Sequence, residues 1–204
     1  MKTIGLTGGI ATGKSTVGSI LRELGIPVYS ADQLAHDAIR KGTPLYHQIL
    51  AEWGQDLLRE DGEIDRKQLG KIVFADAAER RKLEGMIHPV VIAEIQRMIS
   101  EGKQRGEPVL VFEVPLLFEV NLEGLFDLVW VVSLPPEEQL NRLMRRDRLT
   151  RAEAIQRVNA QLPLAIKEGK ADAVINNQFD LDTVRKQIIK ILNSIGVTWC
   201  KHKR

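Results

Sequence analysis

Short apolar runs recur along the chain and are separated by longer amphipathic stretches. Runs this short, bounded by glycine, proline or polar residues, predict buried strands rather than helices. They cover residues 3–7, 26–29, 109–112, 128–132 and 173–175. Because helical sequence separates most of them, we expect an α/β fold with a parallel five-stranded sheet flanked by helices.

The first strand leads into a glycine-rich loop and then into a helix. Val17, Ile20, Leu21 and Leu24 fall at i, i+3, i+4 and i+7, which places them on one helical face. Gly25 is expected to end this helix, and Pro27 cannot continue it. A strand, a loop, a helix and a second strand in this order are typical of the opening of a parallel α/β fold.

Residues 31–104 differ from the rest, because they are mostly helical sequence with few strand signals apart from a turn signal at Asp61-Gly62. We interpret this stretch as an inserted helical lobe. The core is then assigned to residues 1–30, 105–140 and 165–204. A final helix is expected at about 181–195, followed by Gly196 as its C-cap.

The composition is that of an ordinary globular chain and excludes several classes of protein. Hydrophobic residues make up 44% and charged residues 27%, and the net charge of +2 is too small to indicate nucleic-acid binding. The N-terminus lacks the apolar segment of a signal peptide, and no run approaches the roughly 18 residues of a membrane helix. Cys200, the single cysteine, cannot form an internal disulfide. We expect a cytoplasmic monomer that binds neither nucleic acid nor a membrane.

The glycine-rich loop matches the phosphate-binding pattern Gly8-x-x-x-x-Gly13-Lys14-Ser15. Its backbone amides and the helix N-terminus can surround a phosphate, and Lys14 is expected to reach the β- and γ-phosphates. The Ser15 hydroxyl is a ligand for Mg²⁺, and Thr16 is positioned for the α-phosphate. Such a short pattern also arises by chance, but the strand before it and the amphipathic helix after it favour a P-loop. The residues expected to bind nucleotide here are Gly9, Ala11, Thr12, Gly13, Lys14, Ser15 and Thr16.

A phosphate cradle alone does not distinguish kinases from other P-loop proteins. The guanine-reading pattern Asn-Lys-x-Asp is absent from the sequence, and the chain is short for a motor ATPase. These features favour ATP and a kinase that acts on a small molecule.

Two carboxylates follow predicted strands. Asp32 comes after the second strand, where it either accepts a proton from an attacking hydroxyl or, like Ser30, caps the helix that follows. Glu113 ends the third strand, where P-loop proteins often place an acid that faces Mg²⁺. The alternative for Glu113 is a solvated carboxylate at a strand end.

Six arginines between Arg142 and Arg157 are offset only by Asp147 and Glu153, which gives six minus two, or +4, within that stretch. Arginine favours bidentate contact with phosphate, so residues 141–164 are interpreted as a lid that closes over ATP. An exposed basic helix face is the simple alternative. Nucleic-acid binding is disfavoured because only 5% of the residues are aromatic.

From end to end the chain resembles the dephospho-CoA kinase family, which catalyses the last step of coenzyme A synthesis. The stretches that carry this resemblance are Leu6-Thr-Gly-Gly-Ile10 leading into Gly13-Lys-Ser-Thr16, Ala31-Asp32, Ile87-His88-Pro89, Pro115-Leu-Leu-Phe-Glu119, Gln139 with Arg142 and Arg145, Arg157 with Gln161, and Ala171-Asp172 through Asn177. Their order and spacing are more specific than any one of them.

The resemblance implies transfer of the γ-phosphoryl group of ATP to the ribose 3′-hydroxyl of dephospho-CoA, with Mg²⁺. It assigns the base to Asp32 and places Asn177 near the adenine pocket. The arginine-rich lid, with Arg142 and Arg145, is expected to act on the phosphates. The helical lobe is expected to bind the acceptor. The residues expected to line that site are His88, Pro115, Leu116, Leu117 and Glu119.

The sequence departs from the family pattern at several positions. Ser30 replaces an aspartate, and His36 stands where an arginine is usual. Glu113 replaces the more common aspartate, and Ala11-Thr12 replaces Gly-Ser at positions expected to supply mainly backbone. His88-Pro89 also has a simpler interpretation as the cap of a helix that begins near residue 90. Another nucleoside or nucleotide kinase, or a nucleotide sensor without turnover, is the competing function.

Overall fold

The computed structural model describes residues 1–197, and in this part of the chain five strands form one parallel sheet. Each lies where an apolar run predicts it, so the predicted sheet is confirmed. Cys200 and the basic end of the chain lie outside the described residues. The strands are β1 (Lys2–Gly8), β2 (Val28–Ser30), β3 (Val109–Glu113), β4 (Leu128–Ser133) and β5 (Ala173–Asn176).

The strand order is β2-β3-β1-β4-β5, which places β1 at the centre. Leu6 of β1 pairs with Glu113 of β3, and Gly8 pairs with Val132 of β4. Parallel strands end at the same edge, so the loop after β1 and the carboxylate of Glu113 lie at one edge of the sheet. In open α/β sheets this carboxyl edge is where ligands bind.

The core beside the sheet is apolar because the central strands are buried. Ile4, Leu6 and Trp130 are fully buried, and they belong to one cluster with apolar residues of α1 (Lys14–Glu23) and α9 (Leu181–Ser194). Burial on this scale removes the alternation of polar and apolar residues that a half-exposed strand would show. This explains why β3 and β4 are near-continuous apolar runs in the sequence.

The chain divides into two compact units. One comprises Met1–Ser30 and the chain from Ile99 onward, and the other is Ala31–Met98. The second unit ends at Met98, within the helix α5 (Ala77–Gln104). Its helices are α2 (Ala31–Ala38), α3 (Pro44–Trp53), α4 (Arg66–Ala75) and most of α5 (Ala77–Gln104).

The second unit has its own apolar core and its own helix caps. Leu45, Ile49 and Leu57 are buried at its centre. Thr43 caps α3 by accepting the N–H of Tyr46, and Asp65 caps α4 by accepting the N–H groups of the first turn. Caps of this kind satisfy donors that a helix start leaves unpaired.

The helix α5 passes through His88-Pro89 without ending. The interpretation of His88 as a helix cap is therefore wrong. Proline lacks an N–H, so the carbonyl of Gly85 receives no helical hydrogen bond at this point, but the rest of the helix continues. His88 is a half-buried residue in the middle of a long helix.

The remaining helices belong to the first unit. The stretch interpreted as a lid contains the end of α6 (Pro136–Asp147) and all of α7 (Arg151–Asn159), and the turn between them includes Arg148 in a left-handed conformation with φ of 55°. Thr150 and Glu153 form a reciprocal capping box that begins α7. None of the helices described in residues 1–197 is long and apolar enough to cross a membrane. These helices are α6 (Pro136–Asp147), α7 (Arg151–Asn159) and α8 (Leu164–Gly169).

Candidate active site

The loop between β1 and α1 has the geometry of an anion site. Gly13 precedes α1 with φ of 92°, a left-handed conformation that favours glycine. No side chain caps α1 and its first turn carries no acidic residue, so this helix start is available to an anion. Lys14 bends back over the loop, where its Nζ donates to the carbonyls of Gly9 at 2.9 Å and Gly8 at 3.2 Å.

Three amide side chains brace the tip of this loop, and we call them the amide brace: Gln139, Gln161 and Asn177. The N–H of Ile10 donates to Gln161 Oε1 at 2.7 Å, and Gln139 Nε2 donates to the carbonyl of Ile10 at 2.8 Å. Asn177 Nδ2 donates to the carbonyl of Thr12 at 2.8 Å. The three come from α6, from the segment after α7 and from the segment after β5, so distant parts of the chain fix one short loop.

Between the braced residues, Ala11 adopts φ of 59°. A left-handed conformation costs a residue with a Cβ roughly 1–2 kcal/mol, so the bonds on either side must hold it. The expectation that Ala11-Thr12 supplies mainly backbone is wrong for Thr12. Its buried hydroxyl donates to the carbonyl of Gly9 at 2.9 Å and so closes the loop from within.

Asn177 lies against the loop rather than away from it. A Cβ atom on Gly13 would lie 2.0 Å from Nδ2 of Asn177, so only glycine fits at position 13. The Asn177 carbonyl in turn accepts Arg142 Nη2 at 3.0 Å. The side-chain amide is thus committed to the P-loop backbone, and an adenine contact by Asn177 stays a prediction.

Glu113 lies beside the helix that carries Ser15. Its Oε1 pairs with Arg22 at 3.1 Å, and it would lie 1.9 Å from a Cβ on Gly18. Ser15, Gly18 and Arg22 are spaced i, i+3 and i+7, on one face of α1. The glycine therefore allows the carboxylate to approach α1 within one helical turn of the Ser15 hydroxyl.

Most arginines of the lid stretch are paired with carboxylates. Arg142 contacts Glu138 at 2.9 Å, Arg151 contacts Glu137 at 2.8 Å, and Arg146 and Arg157 both contact Asp147. The hydrogen bond from Arg146 and the charges of Arg146 and Arg157 outweigh the opposing effect of burial and hold the pKa of Asp147 below its ordinary value.

The net charge of +4 for residues 142–157 does not include Glu137 and Glu138, which lie just before that stretch in α6 and pair with two of its arginines. Arg145 differs from its neighbours because its side chain is 72% exposed and its contact with Glu138 is 3.8 Å long. It is thus the least constrained of the paired arginines in the lid stretch.

Asp32 is the second residue of α2, not its cap, because the helix begins at Ala31. The capping interpretation of Asp32 is therefore wrong. Its side chain is exposed and lines a cavity of about 360 Å³ within the second unit. The other residues that line this cavity are Ala35, His36, Ile39, Arg66, Leu69, Gly70, Val73, Phe74, Leu83 and Ile87.

The residues around Pro115 divide into core and surface positions. Leu117 is fully buried, whereas Leu116 is 44% exposed, and the Pro115 carbonyl accepts the Thr7 hydroxyl at 3.2 Å. Leu117 therefore packs in the core of its unit, and Leu116 is the residue of this segment best exposed to a ligand. The resemblance also assigned His88 to the acceptor site. His88 follows Ile87 in the sequence, and Ile87 lines the Asp32 cavity.

Glu119 forms a buried ion pair that the sequence did not indicate. Its Oε1 lies 2.7 Å from Nζ of Lys167, whose side chain is fully buried, and it accepts the N–H of Leu162 at 3.0 Å. The ammonium is placed for charge pairing rather than for a well-aligned hydrogen bond. Burial raises the pKa of Glu119, but Lys167 and the Leu162 N–H outweigh it and hold the pKa below its ordinary value.

Comparison with known proteins agrees with this geometry. A model of the family described as dephospho-CoA kinase matches residues 2–183. The chain belongs to the dephospho-CoA kinase family. The dephospho-CoA kinase of Carboxydothermus hydrogenoformans is 46% identical over 189 residues, which cover 93% of this chain and 92% of that protein.

Solved structures extend the likeness to the fold. The crystal structure of TT1252 from Thermus thermophilus has a TM-score of 0.80 and 33% identity, and the match covers 97% of this chain and 98% of that one. Dephospho-CoA kinase from Campylobacter jejuni has a TM-score of 0.73 and 32% identity, with coverage of 95% and 96%. The dephospho-CoA kinase family thus accounts for both units of this chain.

Proposed function

We propose that this protein transfers the γ-phosphoryl group of ATP to the ribose 3′-hydroxyl of dephospho-CoA, giving coenzyme A and ADP. The observation that carries the proposal is an uncapped helix start behind a braced P-loop, in a chain whose family match spans residues 2–183. The P-loop supports phosphate binding, and the family supplies the identity of the acceptor.

The ATP phosphates are assigned to the loop from Gly9 to Thr16. Backbone N–H groups around Gly13 and at the start of α1 face the anion, and Lys14 exchanges its contacts with the Gly8 and Gly9 carbonyls for phosphate oxygens. The amide brace holds this loop in one conformation before ATP arrives. Preorganised donors stabilise developing charge without reorganising at the moment of transfer.

Ser15 and Glu113 are the residues that fit Mg²⁺. The Ser15 hydroxyl is exposed at the start of α1, and the Glu113 carboxylate lies along the same helix face. Residues 1–197 contain no cluster of three His, Cys, Asp or Glu side chains of the kind that holds a metal unaided. This suits an ion that enters with nucleotide phosphates, and when bound it would neutralise charge on the β- and γ-oxygens.

Asp32 is proposed as the general base. Its carboxylate takes the proton of the 3′-hydroxyl as that oxygen bonds to the γ-phosphorus, and the bond from phosphorus to the bridging oxygen of ADP breaks. Arg145, and Arg142 beside the P-loop, are proposed to stabilise the negative charge of the transferring group. A cytoplasmic location and a monomeric state remain predictions from the sequence.

The proposal is tested by incubating the purified protein with Mg²⁺, ATP and a panel of hydroxyl acceptors while ADP release and coenzyme A are quantified. We expect dephospho-CoA to be the best acceptor. ADP release with a nucleoside, and none above background with dephospho-CoA, would refute the proposal.

The role of Asp32 is tested with Asp32→Asn, which should lower kcat by about 10²- to 10⁴-fold with little change in ATP affinity. Asp56→Asn, an exposed position in the same unit, is the matched control and should keep its activity. Full kcat in Asp32→Asn would show that another group accepts the proton.

A further inference from the structure

Within the second unit, the cavity beside Asp32 adjoins a larger one of about 950 Å³. His36, Ile39 and Arg66 line both, so they form the border that the cavities share. We call the larger cavity the basic groove after its cationic lining residues. These are Arg40, Arg59, Arg66 and Lys67.

The charges that line the basic groove favour an anion. Four cations face two carboxylates, Glu63 and Asp65, which leaves four minus two, or +2. Both carboxylates are already engaged, because Asp65 caps α4 and Glu63 accepts the backbone N–H of Lys41 at 3.1 Å. They therefore compete weakly for the groove's cations.

Arg66 is the cation best prepared for a ligand. Arg40 pairs with Asp37 and Arg59 pairs with Asp61, so part of their charge is compensated. Arg66 instead has its Nη1 2.7 Å from Nδ1 of His36. A guanidinium can only donate, so Nδ1 accepts in this contact, and within residues 1–197 no carboxylate pairs with Arg66. The histidine thus orients the guanidinium and leaves its charge for an anion.

The position of Arg66 relative to Asp32 indicates which anion. Asp32 and His36 are four residues apart on α2, a rise of about 6 Å along one helix face. Arg66 contacts His36 and lines the smaller cavity together with Asp32, so both side chains border one space of about 360 Å³. In a ribonucleotide only a few covalent bonds join the 3′-oxygen to the 5′-phosphate, so both groups can be bound at the border of such a space.

We propose that the basic groove binds the 5′-diphosphate of dephospho-CoA, with Arg66 as its principal contact and His36 as the residue that positions Arg66. The inference rests on the proposed function, because it takes Asp32 to face the 3′-hydroxyl. It assigns separate tasks to the two cavities: the smaller holds the reacting ribose, and the larger holds the diphosphate.

The experiment compares Arg66→Ala with Lys71→Ala, which removes an exposed cation from the same helix outside both cavities. KM and kcat are measured for dephospho-CoA and for ATP, together with the dissociation constant of dephospho-CoA by calorimetry at two salt concentrations. We expect Arg66→Ala to raise the KM and the dissociation constant for dephospho-CoA by about 10- to 100-fold, as for one or two charge-assisted hydrogen bonds. The KM for ATP should stay within about 2-fold of wild type, and the salt dependence of dephospho-CoA binding should decrease.

Two further variants keep the test decisive if Arg66→Ala proves unstable. Arg66→Lys keeps a charge but loses the planar fork, and His36→Ala removes only the group that orients Arg66. Both should weaken dephospho-CoA binding less than Arg66→Ala and leave the KM for ATP unchanged. Unchanged affinity for dephospho-CoA in folded Arg66 variants, or an equal loss in Lys71→Ala, would overturn the assignment of the groove.

The calorimetric measurement separates this inference from the proposed function. A wild-type protein that binds dephospho-CoA but does not phosphorylate it refutes the proposed function, and the Arg66 comparison still tests the groove. A wild-type protein that turns over dephospho-CoA while Arg66→Ala behaves normally refutes the groove alone.

Discussion

Gln161 Oε1 accepts the backbone N–H of Ile10 at 2.7 Å, and this bond joins the end of the lid stretch to the tip of the P-loop. The bond holds one side of the loop whose other side is held by Asn177. Because the same segment also bonds to Glu119 through the Leu162 N–H, the position of residues 161–162 is fixed from two directions.

Removing this bond should loosen the P-loop. We expect Gln161→Ala to raise the KM for ATP by about 3- to 10-fold, since a neutral hydrogen bond contributes about 1 kcal/mol. The KM for dephospho-CoA should change little. Gln156→Ala, an exposed glutamine in α7, is the control. Steady-state kinetics with each substrate varied in turn measure both KM values. A wild-type KM for ATP in Gln161→Ala would contradict the prediction.

Replacing alanine by glycine should have opposite effects on the stability of the protein at the left-handed Ala11 and at an alanine in a regular helix. Ala11→Gly removes a strained Cβ at φ of 59°, and we expect it to stabilise the protein by about 0.5–1 kcal/mol. Ala51→Gly, in the regular helix α3, should destabilise it by about 1 kcal/mol. Urea unfolding gives both values, and a loss of stability in Ala11→Gly would mean that the strain is absent.

The ion pair between Lys167 and Glu119 should make stability sensitive to acid. The pKa of Glu119 is lowered on folding, so its contribution is present above the ordinary value of 4.5 and is lost as the pH falls through the lowered pKa. Wild type should therefore lose more stability between pH 7 and pH 3 than Glu119→Gln does. Urea unfolding at both pH values measures the difference, and parallel losses in the two proteins would contradict it.

Lys167→Met tests the same pair from the other side. It leaves the half-buried carboxylate without its cation, and we expect a loss of about 3 kcal/mol at pH 7. The double variant Lys167→Met/Glu119→Leu should recover much of this loss, because it removes both charges. A double variant as unstable as Lys167→Met alone would show that the loss came from packing.

Arg145 and Arg146 are adjacent in the chain but differ in their surroundings. Arg145 is 72% exposed with a long contact to Glu138, whereas Arg146 is held by two bonds to Asp147. We expect Arg145→Ala to lower kcat at least 100-fold, as for an arginine that stabilises the transferring phosphoryl group, and Arg146→Ala to change it only a few-fold. Rates at saturating ATP and dephospho-CoA measure this, and equal effects would exclude a special role for Arg145.

The sequence by itself determined the elements and the chemistry of the P-loop. Apolar runs and the spacing of Val17, Ile20 and Leu21 reflect neighbours within a few residues, so the five strands and the first helix were predictable. The pattern from Gly8 to Ser15 was recognisable for the same reason, and the family resemblance added the acceptor and the base.

Only the tertiary structure decided which side chains hold these parts in place. The bonds from Gln161 to Ile10 and from Asn177 to Thr12 span 151 and 165 residues, and no local pattern encodes such a separation. Lys167 has no sequence signal, because a lysine in an amphipathic helix ordinarily faces solvent. Burial and pairing depend on elements that are far apart in the chain. The amide brace, the Lys167–Glu119 ion pair and the His36–Arg66 contact are therefore properties of the tertiary structure alone.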